Sequence, residues 1–192
     1  MTVPLVVMAL EIESQGVFEH AGISVLFTGV GKINAAYALA RKLAEYRLAG
    51  QPLPHVVNFG TAGSRTYKTG SIVACRSFVQ RDMDVAALGF ERGITPFDPS
   101  PAVIEFPVAF ADLPQGICST ADSFETLGGE IAGDVLDMEA YALAKVCWLE
   151  QAQFGCVKYV TDGADHSAAA DWQANLSKAA AEFLRIYRTL VK

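Results

Sequence analysis

Short apolar runs alternate with helical patterns along this chain, and that alternation limits the fold more than any other feature. Six runs are typical of buried strands: VPLVVMAL at 3–10, ISVLFTGV at 23–30, HVVNFG at 55–60, SIVACRSFV at 71–79, VIEFPVAFA at 103–111 and FGCVKYVT at 154–161. Helical patterns cover about 33–48 and begin again near 138 and near 172. Strands and helices that alternate in this way build a sheet covered by helices. The sequence therefore predicts an α/β protein.

Each helical pattern carries an apolar face that predicts docking on the sheet. The residues on these faces are Ala36, Leu39, Ala40 and Leu43 in the first helix, Leu143, Ala144 and Cys147 in the second, and Leu176, Ala180, Phe183, Tyr187 and Leu190 in the third. Between the strands, the proline-rich segment GITPFDPSP at 93–101 predicts an exposed loop.

Length, composition and charge limit the domain organisation and the partners. The 192 residues suffice for one domain with a sizeable core, so we expect a single domain over 1–192. Hydrophobic residues make up 52% and charged residues 19%, which argues against disorder. The net charge of −6 provides no basic surface, so nucleic acids and anionic membranes are not expected partners. The run at 3–10 indicates a strand rather than a targeting segment because acidic residues follow it at once.

The cysteines and the glycine-rich segments indicate no metal or cofactor. Cys75, Cys118, Cys147 and Cys156 are far apart, with no C-x-x-C pair and no histidine at metal-ligand spacing. Reduced thiols in a cytoplasmic protein are therefore expected. The segment GVGK at 29–32 matches neither the phosphate-binding loop nor the dinucleotide fingerprint.

Polar residues stand at the ends of several predicted strands, where ligands of α/β sheets collect. The groups are Glu11 and Glu13, GTAGS at 60–64, RDMD at 81–84, DMEA at 137–140, and Asp162 before a Gly-Ala turn. Each also has an ordinary structural explanation. Acidic residues are favoured in the first turn of a helix, GTAGS could be an ordinary tight turn from a strand to a helix, and Asp137 is a plausible helix cap. RDMD could be a solvated charge cluster, and Asp-Gly often ends a strand.

Together, however, the motifs resemble those of the purine nucleoside phosphorylase superfamily, and within it the 5′-methylthioadenosine/S-adenosylhomocysteine nucleosidases. Eight boxes occur in that family's order: ALEIE at 9–13, GVGKINAA at 29–36, NFGTAGS at 58–64, KTGSIV at 68–73, RDMDVAALGFERG at 81–93, ADSF at 121–124, DMEAYALAKVC at 137–147 and VKYVTDGAD at 157–165. The resemblance implies a nucleoside phosphorylase-like α/β/α sandwich of three layers around a central twisted mixed sheet. It also implies a cofactor-free N-glycosidase, a small-molecule purine nucleoside as substrate, and a homodimer.

The resemblance further implies two catalytic carboxyl groups. Asp162 matches the acid that protonates the purine at N7, which removes the charge of a poor leaving group and typically contributes about 10²- to 10⁴-fold. Glu13 matches the glutamate that activates water on the opposite face of the sugar, as in an inverting glycosidase. Glu11, two residues away, is a possible substitute. For His166, the expected role is that of an exposed loop histidine.

Five other residues match substrate-binding positions of the family. Glu139 would accept hydrogen bonds from the ribose hydroxyls, with Met138 packed beside the sugar. Phe124 would stack on the base. Thr61 and Gly63 would line the pocket for the ribose and the nucleophile.

Glu125 departs from the family, which usually has an apolar residue beside the stacking aromatic. Its carboxylate could accept a hydrogen bond from N1–H or from an exocyclic amine of the base. We therefore expect Glu125 to contact the substrate, and the choice between a 6-amino and a 6-oxo purine stays open.

Two other functions also stay open at this point. A phosphorylase of the same fold would need an anion-binding turn, but the expected Gly-Asp-Pro turn is absent around residues 8–14, where Glu11 and Glu13 would repel phosphate. A non-catalytic nucleoside-binding homologue would need neither an acid nor a base, whereas this chain has Glu13, Glu139 and Asp162 together.

Overall fold

The computed structural model, which describes residues 3–125, 133–164 and 168–191, contains one mixed sheet. Its eight strands are β1 (Leu5–Met8), β2 (Val25–Phe27), β3 (Val56–Gly63), β4 (Ile72–Gln80), β5 (Val103–Glu105), β6 (Gln115–Thr120), β7 (Val135–Asp137) and β8 (Phe154–Asp162). The helices of the described ranges are α1 (Glu11–Ser14), α2 (Val17–His20), α3 (Lys32–Leu48), α4 (Ala140–Glu150) and α5 (Ala168–Leu190), with a short 3₁₀ turn at Ala86–Leu88.

The strand pairing brings the ends of several strands to one place. β1 pairs in parallel with β2 and β3, and β3 pairs in parallel with β8. The C-terminal ends of β1, β3 and β8 therefore lie at the same edge. β8 also pairs with β4, β4 pairs with β6, and β6 pairs with β7. β7 in turn pairs with β3, where Leu136 lies opposite Gly63. The sheet thus curls on itself, and the end of β7 reaches the same edge.

Two hydrophobic cores lie on opposite faces of the sheet. Because successive strand residues point to opposite faces, Val6 and Val7 of β1 belong to different cores. Val7 packs in the core that includes Leu39 of α3 and Leu143 of α4, whereas Val6 packs with residues of α5. The predicted α/β/α sandwich with a mixed sheet is confirmed. Within the described ranges, no helix has the length and apolar character that a membrane span requires.

The helix faces are close to those predicted. The predicted residues of α4 are buried, and those of α5 are buried apart from Leu190, which packs at the edge of the core. The prediction for α3 was wrong at Ala40, which is exposed; Ala35 is buried in its place beside Leu39 and Leu43. α4 begins at Ala140, so Met138 precedes the helix instead of starting it.

The strand predictions missed β6 and β7 and overextended β5. β6 mixes apolar with small polar residues, and β7 has only three residues, so neither forms a clear apolar run. The predicted run at 103–111 is a strand only over Val103–Glu105, because Pro107 lacks the N–H that a ladder needs. The predicted loop at 93–101 has no helix or strand, and Phe97 within it is fully exposed.

A buried ion pair connects β8 with β7. The Nζ of Lys158 lies 2.8 Å from Oδ2 of Asp137, and each side chain is only 1% exposed. Asp137 also accepts hydrogen bonds from the hydroxyl of Thr120 on β6 and from the N–H of Ala140, which opens α4. Burial opposes ionisation of Asp137, but the ammonium of Lys158 and the hydrogen bonds from Thr120 and Ala140 together outweigh it and lower the pKa of that carboxyl group.

We expect Lys158→Met to lower the free energy of unfolding by about 3–5 kcal/mol, because it leaves the Asp137 carboxylate buried and unpaired. Lys42→Met is the control, since Lys42 forms an exposed pair with Glu45 and should change stability by about 0.5 kcal/mol or less. Urea unfolding measures both. A loss below about 1 kcal/mol for Lys158→Met would show that the pair is not structurally required.

Candidate active site

The predicted site residues come together in one cavity of about 240 Å³, at the edge where β1, β3, β7 and β8 end. Much of its wall is apolar, with Ala9, Leu10, Val30, Ala62 and Leu136 among the lining residues. All eight residues singled out by the sequence contribute to the lining: Glu13, Thr61, Gly63, Phe124, Glu125, Met138, Glu139 and Asp162. This is the arrangement typical of a small-molecule site, an apolar cleft with a few convergent polar groups.

The Glu13 carboxylate is buried and held by four donors. Its Oε2 accepts from the N–H groups of Ala9 and Leu10, both at 3.1 Å, because the short helix α1 turns the side chain back over the end of β1. Its Oε1 accepts from the N–H and the hydroxyl of Thr61, both at 3.0 Å. Glu11 is exposed and does not line the cavity. Of these two glutamates, only Glu13 is therefore placed to act on a ligand in the cavity.

Asp162 ends β8 and is 2% exposed. Its Oδ1 accepts from the N–H of Ala164 at 2.9 Å, and its Oδ2 accepts from the hydroxyl of Thr161 at 2.8 Å. The register between β3 and β8 shifts at Ala62 and Gly63, which places Gly63 opposite Asp162. A Cβ at Gly63 would lie 2.7 Å from Oδ1. Glycine is needed here so that the carboxyl group can face the cavity.

Glu139 lies between β7 and α4 and is bound by the loop at 29–32. The N–H of Gly31, a residue with φ of 93°, donates to Oε1 of Glu139 at 2.9 Å. Burial and the nearby Asp137 raise the pKa of Glu139 to about 7, against the opposing effects of Lys158 and the Gly31 N–H. The GVGK segment thus presents an N–H group to a site carboxylate.

Phe124 and Glu125 form another part of the cavity wall, where an ion pair is present. Phe124 is 48% exposed, so its ring is accessible to a ligand. The Oε1 of Glu125 lies 3.6 Å from a guanidinium nitrogen of Arg65. The same nitrogen donates to the carbonyl of Ala164 at 3.0 Å, two residues after Asp162. The charged pair therefore adjoins the segment that carries Asp162.

The cavity wall also includes Arg81, the first residue of the RDMD group, and Trp172, which sequence reasoning missed. Arg81 donates through its guanidinium to the carbonyls of Ser119, Ser123 and Asp137, at 2.5, 2.8 and 3.1 Å. Trp172 of α5 donates its indole N–H to the hydroxyl oxygen of Thr61 at 2.8 Å. No local pattern predicts the contacts of either residue, because they join segments that are distant in the chain.

The other polar groups from the sequence lie elsewhere. Asp82 pairs with Lys32 at 2.5 Å, and Asp84 pairs with Arg92 at 2.8 Å, so these RDMD carboxylates form surface ion pairs. Asp165 and His166 lie outside the described residues. In the part of the chain that the structure describes, no group of three histidine, cysteine or acidic side chains could hold a metal ion.

Comparisons with known proteins identify the family of the chain. The family model of the phosphorylase superfamily matches residues 15–192. The 5′-methylthioadenosine/S-adenosylhomocysteine nucleosidase of Haemophilus influenzae is 30% identical, in an alignment that covers 86% of this chain and 79% of the relative.

Two solved structures share the fold. The Helicobacter pylori 5′-methylthioadenosine/S-adenosylhomocysteine nucleosidase, solved with butyl-thio-DADMe-Immucillin-A, has a TM-score of 0.85 at 19% identity, covering 100% of this chain and 98% of that one. The futalosine hydrolase of the same organism has a TM-score of 0.83 at 19% identity, covering 97% of each chain. Fold, motifs and relatives agree, and the chain belongs to the phosphorylase superfamily, in the family of 5′-methylthioadenosine/S-adenosylhomocysteine nucleosidases.

Proposed function

We propose that the protein hydrolyses the N-glycosidic bond of a purine nucleoside of the methylthioadenosine or adenosylhomocysteine type. One observation carries the proposal: two buried carboxyl groups, Glu13 in α1 just after β1 and Asp162 at the end of β8, face the same cavity. A third, Glu139, lies beside them. Cleavage of this bond needs a general acid that protonates the purine and a general base that takes a proton from water. Two separated carboxyl groups supply both.

In the proposed reaction, Asp162 gives a proton to N7 of the purine, so that the base leaves without a negative charge. The bond between C1′ and N9 breaks as a water oxygen bonds to C1′ from the other face of the sugar. Glu13 takes the proton of that water. Burial of both groups excludes bulk solvent, which strengthens these electrostatic interactions.

Substrate binding is assigned to the remaining residues of the cavity. Glu139 accepts from the ribose hydroxyls, Met138 packs beside the sugar and Phe124 stacks on the base. Thr61 holds the nucleophile together with Glu13, and Gly63 makes room for Asp162. Residues outside the cavity, Glu11 among them, have no part in this proposal.

The charges in the cavity favour water over phosphate as the nucleophile. Among the described residues, Arg81 is the only cationic side chain that lines the cavity, and it already donates to three carbonyl groups. A phosphate beside the Glu13 carboxylate would be repelled by about 4 kcal/mol at an effective dielectric constant of roughly 20. Water has no such penalty.

The proposal includes a single-domain protein that acts as a homodimer in the cytoplasm. Val30, Ile33 and Tyr37 expose apolar surface beside the cavity and along α3, at 41%, 80% and 66% exposure. A second copy would cover such a surface. The four cysteines are unpaired and buried, as suits a reducing compartment. A monomeric mass in light scattering would contradict the homodimer.

The proposal is tested by assaying purine release from a panel of nucleosides in phosphate-free buffer. We expect full activity and free sugar as the product. Glu13→Gln and Asp162→Asn should each lower kcat by about 100-fold or more while still binding a substrate analogue. Glu11→Gln is the matched control and should keep the parent rate. Formation of ribose 1-phosphate, or a rate that saturates with added phosphate, would identify a phosphorylase instead.

The pKa of Glu139 predicts how nucleoside binding changes with pH. Because that pKa is about 7, roughly one molecule in ten carries the ionised carboxylate at about pH 6 and roughly nine in ten at about pH 8. The ionised form is the one that accepts from both ribose hydroxyls. The affinity for a carbocyclic purine nucleoside, measured by calorimetry, should therefore rise about tenfold over this range. Glu139→Gln should remove that rise, and an unchanged rise in this variant would assign it to another group.

The Arg65–Glu125 pair predicts a measurable preference for the base. If the carboxylate meets the 6-edge of the purine, Glu125→Ile should shift the ratio of kcat/KM for 5′-methylthioadenosine and 5′-methylthioinosine by about 1–3 kcal/mol. The two substrates differ only at C6 and N1, so effects on binding of the sugar cancel in the ratio of their kcat/KM values. Glu105→Ile, on β5 and away from the cavity, is the control. An unchanged ratio would mean that Glu125 does not contact the base.

A further inference from the structure

Trp172, Thr61 and Glu13 form a continuous hydrogen-bonded chain from α5 to the cavity. The indole N–H of Trp172 donates to Oγ1 of Thr61 at 2.8 Å, and Oγ1 of Thr61 donates to Oε1 of Glu13 at 3.0 Å. All three residues line the cavity. Residues 13, 61 and 172 are far apart in the sequence, so only the fold brings them together.

The direction of this chain is fixed at both ends. An indole N–H can only donate, and a carboxylate can only accept. The hydroxyl of Thr61 has one hydrogen and two lone pairs, and Trp172 occupies one lone pair. The hydrogen of Thr61 is thereby directed to Glu13.

The hydroxyl of Thr61 also differs from the other donors that hold Glu13. The carboxylate has about four acceptor sites, and four donors are present. Three of them are backbone N–H groups of Ala9, Leu10 and Thr61, whose positions are set by the fold. The hydroxyl is the one donor of the four whose hydrogen can rotate about its own C–O bond. When it rotates away, it frees an acceptor site of the Glu13 carboxylate for a proton of water.

We propose that Trp172 is a positioning residue for the water-activating carboxylate, acting through the Thr61 hydroxyl. The indole holds the oxygen of Thr61 in place while its hydrogen turns from Glu13 to the attacking water. This inference rests on the proposed function for its kinetic consequence. The hydrogen-bonded chain itself does not depend on it.

Trp172→Phe tests the proposal because it keeps an aromatic ring and removes the donor. We expect kcat to fall about three- to tenfold, the effect of one hydrogen bond, with the Kd of a carbocyclic nucleoside nearly unchanged. Thr61→Val should lower kcat by at least as much. In the Thr61→Val background, Trp172→Phe should have no further effect, since both substitutions break the same chain. Trp148→Phe, which changes the other tryptophan of the protein, should leave kcat unchanged.

Hydrogen exchange of the two indole N–H groups, followed by NMR, gives a readout that needs no activity. Thr61→Val should speed exchange at Trp172 and leave Trp148 as it was. An equal exchange rate of the Trp172 indole N–H in the parent protein and in Thr61→Val would overturn the hydrogen-bonded chain. Independent, additive losses of kcat, or a loss confined to KM, would overturn the positioning role. If the parent protein cleaves no nucleoside of the panel, the proposed function fails, and the exchange experiment still decides whether the chain exists.

Discussion

The ion pair between Lys158 and Asp137 is the interaction on which the site depends most. Two charges at 1% exposure are stable only with each other and with further hydrogen bonds, which Thr120 and Ala140 donate to Asp137. The pair therefore holds the end of β7 and the start of α4 against the middle of β8. Glu139, two residues after Asp137, takes its position from this arrangement.

The same arrangement gives similar acidic groups different environments. Glu13 accepts three hydrogen bonds from backbone N–H groups and one from a hydroxyl, which fix the carboxyl group in place. Glu139 accepts from the backbone N–H of Gly31, lies close to Asp137 and is buried, and its pKa is about 7. Asp162 accepts from the N–H of Ala164 and from the hydroxyl of Thr161, at the end of a fully buried strand. Environments that differ in this way allow carboxyl groups of one cavity to take separate roles.

Two glycines leave the space that the charged groups of the site occupy. Gly63 leaves room for the Asp162 carboxyl group, since a Cβ there would lie 2.7 Å from its oxygen. A Cβ at Gly60 would lie 3.0 Å from the Nζ of Lys158 and 3.6 Å from Oε1 of Glu13. The NFGTAGS box therefore supplies space as well as Thr61. Substitution at either glycine would displace charged groups that have few alternative positions in a packed interior.

The sequence by itself determined the α/β class and six of the strands, because apolar periodicity is a local property of the chain. The resemblance of its ordered motifs to those of a known family indicated the eight residues that meet in the cavity. The sequence did not reveal β6 and β7, the partner of Lys158, or the contacts of Arg81 and Trp172. A lysine within a buried apolar run indicates that an acidic partner is buried with it, but does not identify that partner. Tertiary structure decided these features, since the partners of a buried charge or an indole N–H come from segments that only the folded sheet brings within 3 Å.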